Sequence, residues 1–169
     1  MGAMRYVLPL LLLMFPAMNA SAQMLRVERI DIVEYGIYTA DVESAVAAPG
    51  TPAGARNVVS DVKHAATTRT IPAQLGVRFG FRFIAVGTPS GATLPLRMVT
   101  IFPKPGLIAH AGARPIARSE YDRPVAVGAT SYRDYSFDEA WELAPGVWTF
   151  QIWYRGRKLA EQKFTVVKS

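Results

Sequence analysis

The 169-residue chain has no cysteine. Disulfides, thiolate nucleophiles and cysteine-bound metals are therefore excluded, and any fold must be held by its core alone. Histidine is scarce, with only His64 and His110, each in a loop-like setting and without a second ligand at metal spacing. Both read as ordinary imidazoles. Gly-x-Ser-x-Gly is missing, no serine has a nucleophile's context, and no Asp-x-Asp calcium loop occurs. Long helical periodicity and internal repeats are missing too. The sequence thus gives no metal site, no catalytic residues and no cofactor motif.

What it has is 13 glycines and 12 prolines spread between short apolar runs, with half the residues hydrophobic. That pattern predicts many short strands joined by turns and one core, an all-β class. Residues 1–22 read as a signal peptide: Arg5 supplies the positive region, 6–18 the apolar run, and Ala20-Ser21-Ala22 the cleavage site. The run is short and interrupted by proline, so cleavage would leave no integral membrane anchor. The mature chain is then 23–169, one domain, periplasmic or secreted. Without Arg5 it has 18 basic and 13 acidic side chains, a charge of 18 − 13 = +5. No dense Lys/Arg run accompanies that charge, so nucleic acid is not an expected partner.

The most informative stretch is 143–159. Pro145-Gly146 is turn chemistry, after which Trp148, Phe150, Ile152 and Tyr154 alternate with Val147, Thr149, Gln151 and Trp153. Arg155-Gly156-Arg157 turns the chain into a return strand carrying Ala160, Phe164 and Val166. A hairpin this aromatic on one face needs a second sheet over it, which points to a β-sandwich. Earlier, 25–33 reads as a strand with a bulge near Arg29-Ile30, resuming through Val42, with Gly36 at a bend or close backbone approach. Residues 45–57 read as a flexible loop and 58–63 as a weak strand. A further strand over 67–71 would end or sit at an edge at Pro72.

Residues 75–86 form the next strong strand, with Val77, Phe79, Phe81, Phe83 and Ala85 inward and Arg78, Gly80 and Arg82 outward. Thr88-Pro89-Ser90-Gly91 would turn it into a partner strand, 94–102, with Leu96, Met98 and Phe102 inward and Arg97, Val99 and Ile101 outward. Residues 107–124 resist reading beyond a short edge at Ile116-Ala117 and a turn opening at Arg123-Pro124. Residues 129–137 read as a strand, and 138–143 as a helical turn capped by Asp138 or an extended approach to the hairpin.

Three segments carry a resemblance: Glu34-Tyr35-Gly36-Ile37-Tyr38, Ile71-Pro72-Ala73-Gln74-Leu75-Gly76-Val77-Arg78-Phe79-Gly80, and 143–154 with its continuation to Phe164. Together they resemble a bacterial exported domain family of unknown function. The resemblance covers about 25–167 and implies an immunoglobulin-like antiparallel β-sandwich of about seven to eight strands. It implies no activity and transfers no site residues.

Among candidate ligand-binding residues, Trp153 stands out as an indole beside polar neighbours, able to stack on a sugar or pack on a protein. Tyr35 and Tyr38 fit core or sheet-rim packing. If 75–86 and 94–102 pair, Arg78, Arg82 and Arg97 share an outer face, with Arg82 opposite Arg97 or Val99. Such like charges need an anion: internal carboxylates from Glu120, Asp122 or Asp134, or an external sulfate, phosphate or uronate. The cluster Asp134, Asp138, Glu139 and Glu142 reads as solvated surface. The expectation is a non-catalytic binding or assembly module of the bacterial envelope, its partner another envelope protein or polymer. A carbohydrate or anionic-polymer binder is the alternative, and a small hydrolase ranks third.

Overall fold

The computed structural model describes residues 24–168; the predicted signal peptide lies outside them. Nine strands form: β1 (Arg26–Ala47), β2 (Ala55–Ala66), β3 (Thr70–Pro72), β4 (Arg78–Thr88), β5 (Thr93–Ile101), β6 (Arg118–Ala126), β7 (Thr130–Ser136), β8 (Gly146–Tyr154) and β9 (Arg157–Val167). A single 3-10 turn, Ala140–Glu142, precedes β8. The first sheet runs β2-β1-β4-β7 and the second β3-β9-β8-β5-β6. All pairings are antiparallel except that of β3 with β9.

Period-two alternation explains how the sheets face each other. Phe79, Phe81, Phe83 and Ala85 of β4 and Trp148, Phe150 and Ile152 of β8 are fully buried in one core with Leu96, Met98, Phe137 and Phe164. Phe79 stacks on Phe150 at 5.5 Å, and Trp148 meets Phe102 and Tyr135 at 4.9 Å each. Trp148 also satisfies its indole N–H on the Ala144 carbonyl at 2.9 Å. With no disulfide, this aromatic interlayer supplies most of what holds the sheets together.

Several expectations need correction. Residues 75–86 and 94–102 do not pair: β4 and β5 belong to different sheets, and 89–92 carries the chain across the sandwich. Both strands have the apolar alternation expected of either arrangement, so parity alone could not separate a hairpin from a sheet-to-sheet corner. Both ends of 45–57 are strand, with Ala45, Val46 and Ala47 paired to Asn57, Arg56 and Ala55, so the loop is confined to the middle seven residues, 48–54. Small residues gave no side-chain period there, yet the backbone ladder forms. Arg123-Pro124 lies inside β6, not in a turn; Pro124 is tolerated because β6 is an edge strand. That unread strand accounts for a count of nine instead of seven or eight. Glu139, not Asp138, precedes the 3-10 turn.

Other readings hold. A register shift falls between Val27 and Arg29, and β3 is a short edge strand ending at Pro72. Gly36 has a φ of 141°, and a Cβ there would stand 1.9 Å from the Ala66 carbonyl oxygen, so only glycine fits this close approach.

Gly36 matters because β1 is much longer than the sheet it belongs to. It pairs with β4 only as far as Tyr38, and from Ile37 to Ala47 its partner is β2. This distal two-stranded ribbon folds across the outer face of β4 and β7. Arg82 of β4 donates to the Val62 carbonyl at 2.7 Å, Tyr38 packs edge-on against Tyr132 of β7 at 4.9 Å, and Asn57 donates to Asp138 at 3.0 Å. At the tip, the Gly50 carbonyl accepts the Glu120 N–H of β6 at 3.1 Å. The ribbon thereby bridges the two sheets along the side where edges β7 and β6 face each other.

Candidate functional site

Along this seam the inner faces of the edge strands carry polar side chains. Register places Arg133 of β7 beside Phe81, and Ser119, Tyr121 and Arg123 of β6 beside Thr100, Met98 and Leu96. With the ribbon as roof they line a cavity of about 280 Å³ that opens to solvent, near the lower end of small-molecule sites. Arg56, Arg78, Arg123 and Arg133 line it, together with Asp134, Asp138 and Glu142 and three tyrosines.

The acidic cluster is not solvated surface as a whole. Glu142 is only 4% exposed. Its carboxylate accepts the Tyr135 hydroxyl at 2.6 Å and the N–H groups of Asp138 and Glu139 at 2.7 and 2.9 Å. Burial pushes the Glu142 carboxyl above its ordinary pKa, against the pull of those donors. Burial likewise raises the Tyr132 and Tyr135 phenols, with neighbouring carboxylates adding to the effect, so both stay protonated. Asp134 forms an ion pair with Arg78.

Of the four residues singled out from the sequence, Arg78 enters this cavity. It is 6% exposed and paired to Asp134, an internal carboxylate. Arg82 also stays on the outer face of β4, where Glu34 is 3.6 Å away and the ribbon covers it. Arg97 lies on the opposite sheet, so a shared Arg82–Arg97 face does not exist. It is held by Asp122 at 3.1 Å, with Glu120 at 3.9 Å.

Arg97 is instead the direct cross-strand partner of Trp153. Those two, with Pro95, Arg118, Tyr154 and Arg155, line an open groove of about 460 Å³. The Trp153 indole N–H donates to Gln151 Oε1 at 2.9 Å, leaving its half-buried ring beside the arginines. Tyr38 is 2% exposed, packed beneath the ribbon against His64 and Tyr132 and not within the main core. Tyr35 lies under the Arg69 guanidinium at 4.2 Å. His64 is within 3.8 Å of Glu34, and His110 is exposed. Among the described residues no cluster of His, Asp and Glu could hold a metal ion.

The cavity residues Arg133, Arg123 and Arg56 were not anticipated from the sequence. One signal was available: Arg133 shares parity with Tyr135 and Phe137, so an inward arginine was implied once that strand was read. Arg123 and Arg56 lay in stretches read as turn and loop, where parity has no meaning.

Two packed sheets, an aromatic interlayer and edge strands closed by a ribbon define an immunoglobulin-like β-sandwich. An immunoglobulin-like protein from Pseudomonas aeruginosa shares this fold. The two have a TM-score of 0.58 and 23% sequence identity, covering 88% of this chain and 100% of that one. The chain belongs to the family described as domain of unknown function DUF3859, whose model matches residues 26–166. A second similar structure is an alkylpurine DNA glycosylase from Pseudomonas fluorescens bound to DNA containing an abasic site analog. Its TM-score is 0.35 at 14% identity, over 58% of this chain and 27% of that one, too low to support any inference. Among curated proteins none matches significantly.

Proposed function

We propose that this protein is a non-catalytic binding or assembly domain that works in the bacterial cell envelope, periplasmic or secreted, after removal of residues 1–22. The observation that carries the binding role is the seam cavity. Its walls come from both sheets and its roof from the ribbon, so its shape depends on the whole domain. A hydrolase would need carboxylates free to address a substrate. In the cavity Asp134 is committed to Arg78, and both oxygens of Glu142 are accepting hydrogen bonds. The Trp153 groove favours a second reading, recognition of a carbohydrate or anionic envelope polymer, because an indole ring and several guanidinium groups share one open surface.

The test combines location with a site-directed loss. Intact mass of the protein from the periplasmic or secreted fraction is expected to show cleavage after Ala22. Mature protein used as bait in an envelope extract is expected to retain a partner that is lost with Arg56→Glu. Full-length mass in membranes would overturn the location, and capture indifferent to Arg56→Glu would overturn the cavity as the site. Loss of retention on an anionic polysaccharide column with Trp153→Ala, and not with Arg56→Glu, would establish the groove reading in its place.

A further inference from the structure

Arg133 stands on the inner face of β7 at 3% exposure. Its guanidinium lies over the Phe150 ring at 5.0 Å and the Tyr121 ring at 5.3 Å. It donates to Thr100 Oγ1, to the Tyr121 hydroxyl at 3.2 Å and to the Asp134 carbonyl at 2.8 Å. Its buried Nε–H has no acceptor, and no carboxylate is within ion-pair distance, among the described residues. A guanidinium cannot shed its proton to escape burial, so a cation in this position calls for a counter-charge. Aromatic faces and neutral oxygens compensate only in part.

Arg123 adds a second such group from the inner face of β6. Its guanidinium donates to the Tyr132 carbonyl, linking the two sheet edges, and it too has no carboxylate partner among the described residues. Burial lowers its pKa, and Arg56 and Arg133 press in the same direction, while Tyr121 and Asp134 oppose. The three guanidinium groups line one cavity, where like charges oppose one another. Arg56 completes the set from the exposed ribbon. The three carboxylates that line the cavity are engaged elsewhere: Asp134 with Arg78, Asp138 with Asn57 and Ser136, and Glu142 with Tyr135 and two backbone N–H groups.

Resting on the binding role assigned to this cavity, we propose that it takes a small organic oxyanion, a carboxylate or phosphate, between Arg123 and Arg133, with Arg56 closing over it from the ribbon. Both anions offer the paired oxygens that a planar guanidinium fork recognises. Tyrosine walls suit a ligand whose anionic group is attached to a small ring or short carbon body.

The probes are citrate for the carboxylate source and inorganic phosphate for the phosphoryl source, added to mature protein against chloride at matched ionic strength. Calorimetry is expected to show saturable 1:1 binding of at least one, with a concentration-dependent rise in Tm. Arg123→Gln and Arg56→Gln are each expected to weaken it about ten-fold, while Arg29→Gln, outside both concavities, leaves it unchanged. Arg133→Met is expected to abolish the response while keeping or raising the Tm without anion, because it removes a buried cation. A Tm that falls while the response survives would make Arg133 a purely structural donor and overturn the proposal. If Arg133→Met does not fold, the Arg123 and Arg56 variants decide alone. Equal small shifts from chloride, citrate and phosphate would overturn the oxyanion assignment. In that event, Arg56-dependent capture of an envelope partner would leave the binding role standing, and its absence would remove both.

Discussion

The seam cavity and the Trp153 groove both gather arginines, and they differ in how the least exposed of them are neutralised. In the groove, Arg97 is met by Asp122 at 3.1 Å and Arg118 by Glu120 at 2.6 Å, all four side chains being about half exposed. Water screens these pairs, and each adds little to stability. In the cavity, Arg133 is almost wholly removed from water and Arg123 largely so, and neither meets a carboxylate. The number of cations is therefore a poor guide to a binding surface. What separates Arg123 and Arg133 from Arg97 and Arg118 is whether the fold has already supplied the counter-charge.

The sharpest contrast lies between the tryptophans that border the two regions. Trp148 packs on Tyr135 at the cavity wall and is fully buried, so Trp148→Ala is expected to cost about 3–5 kcal/mol. That is a large share of a domain's roughly 5–15 kcal/mol. Trp153→Ala, losing a half-buried ring and one hydrogen bond, should cost about 1 kcal/mol. Urea melts of both variants measure the difference, and equal losses would erase the distinction between interior and groove.

Next comes removal of the anion from each kind of pair. Asp134→Asn is expected to cost about 3 kcal/mol, because it strands Arg78 beneath the ribbon. The double replacement Arg78→Met with Asp134→Leu should recover much of that loss, whereas a cost under about 1 kcal/mol for Asp134→Asn would show the ribbon-covered face to be as well hydrated as the groove.

Titration separates the regions again. The Glu142 carboxyl has its pKa raised in the folded protein, so the folded state favours the protonated form. Its contribution is present below about pH 4.5, the ordinary value, and is lost as pH rises through the folded value. Glu142→Gln should flatten that part of the stability profile, measured by urea midpoints from acid to neutral pH. An unchanged profile would place the proton elsewhere. The smallest effect belongs to the groove: a double-mutant cycle on Arg97 and Asp122 should return about 0.2–1 kcal/mol, shrinking as salt is added. A coupling of several kcal/mol would mean that the groove is as dry as the seam.

How much of this was legible beforehand follows from where alternation is visible. Phe79 to Ala85, and Trp148 to Ile152, announced their burial because every second residue was large and apolar. The corner at residues 89–92 was not legible, since a strand that changes sheets keeps the parity of one that turns back. The outer face was misread for a related reason. Alternation tells which side a residue takes, not what later covers that side, and here the cover is a ribbon built largely of alanine, valine and glycine. Asp122 and Asp134 did prove to be partners of Arg97 and Arg78, as charge balance had suggested. Arg133 stayed hidden because an inward arginine is the exception that an apolar pattern trains a reader to overlook.

The bond from Glu120 to the Gly50 carbonyl joins positions seventy apart in the chain. Closing so long a loop carries an entropic cost that only prior contacts can offset, and such non-local contacts slow the search for the native topology. In the finished fold the tip meets β6 while β6 pairs with β5 and β1 pairs with β4, so this contact rests on both sheets. Roof closure is therefore expected to be a late event, following both sheets. A ligand that needs the roof would then distinguish finished molecules from nearly finished ones, and its occupancy would serve as a report on the maturity of the chain.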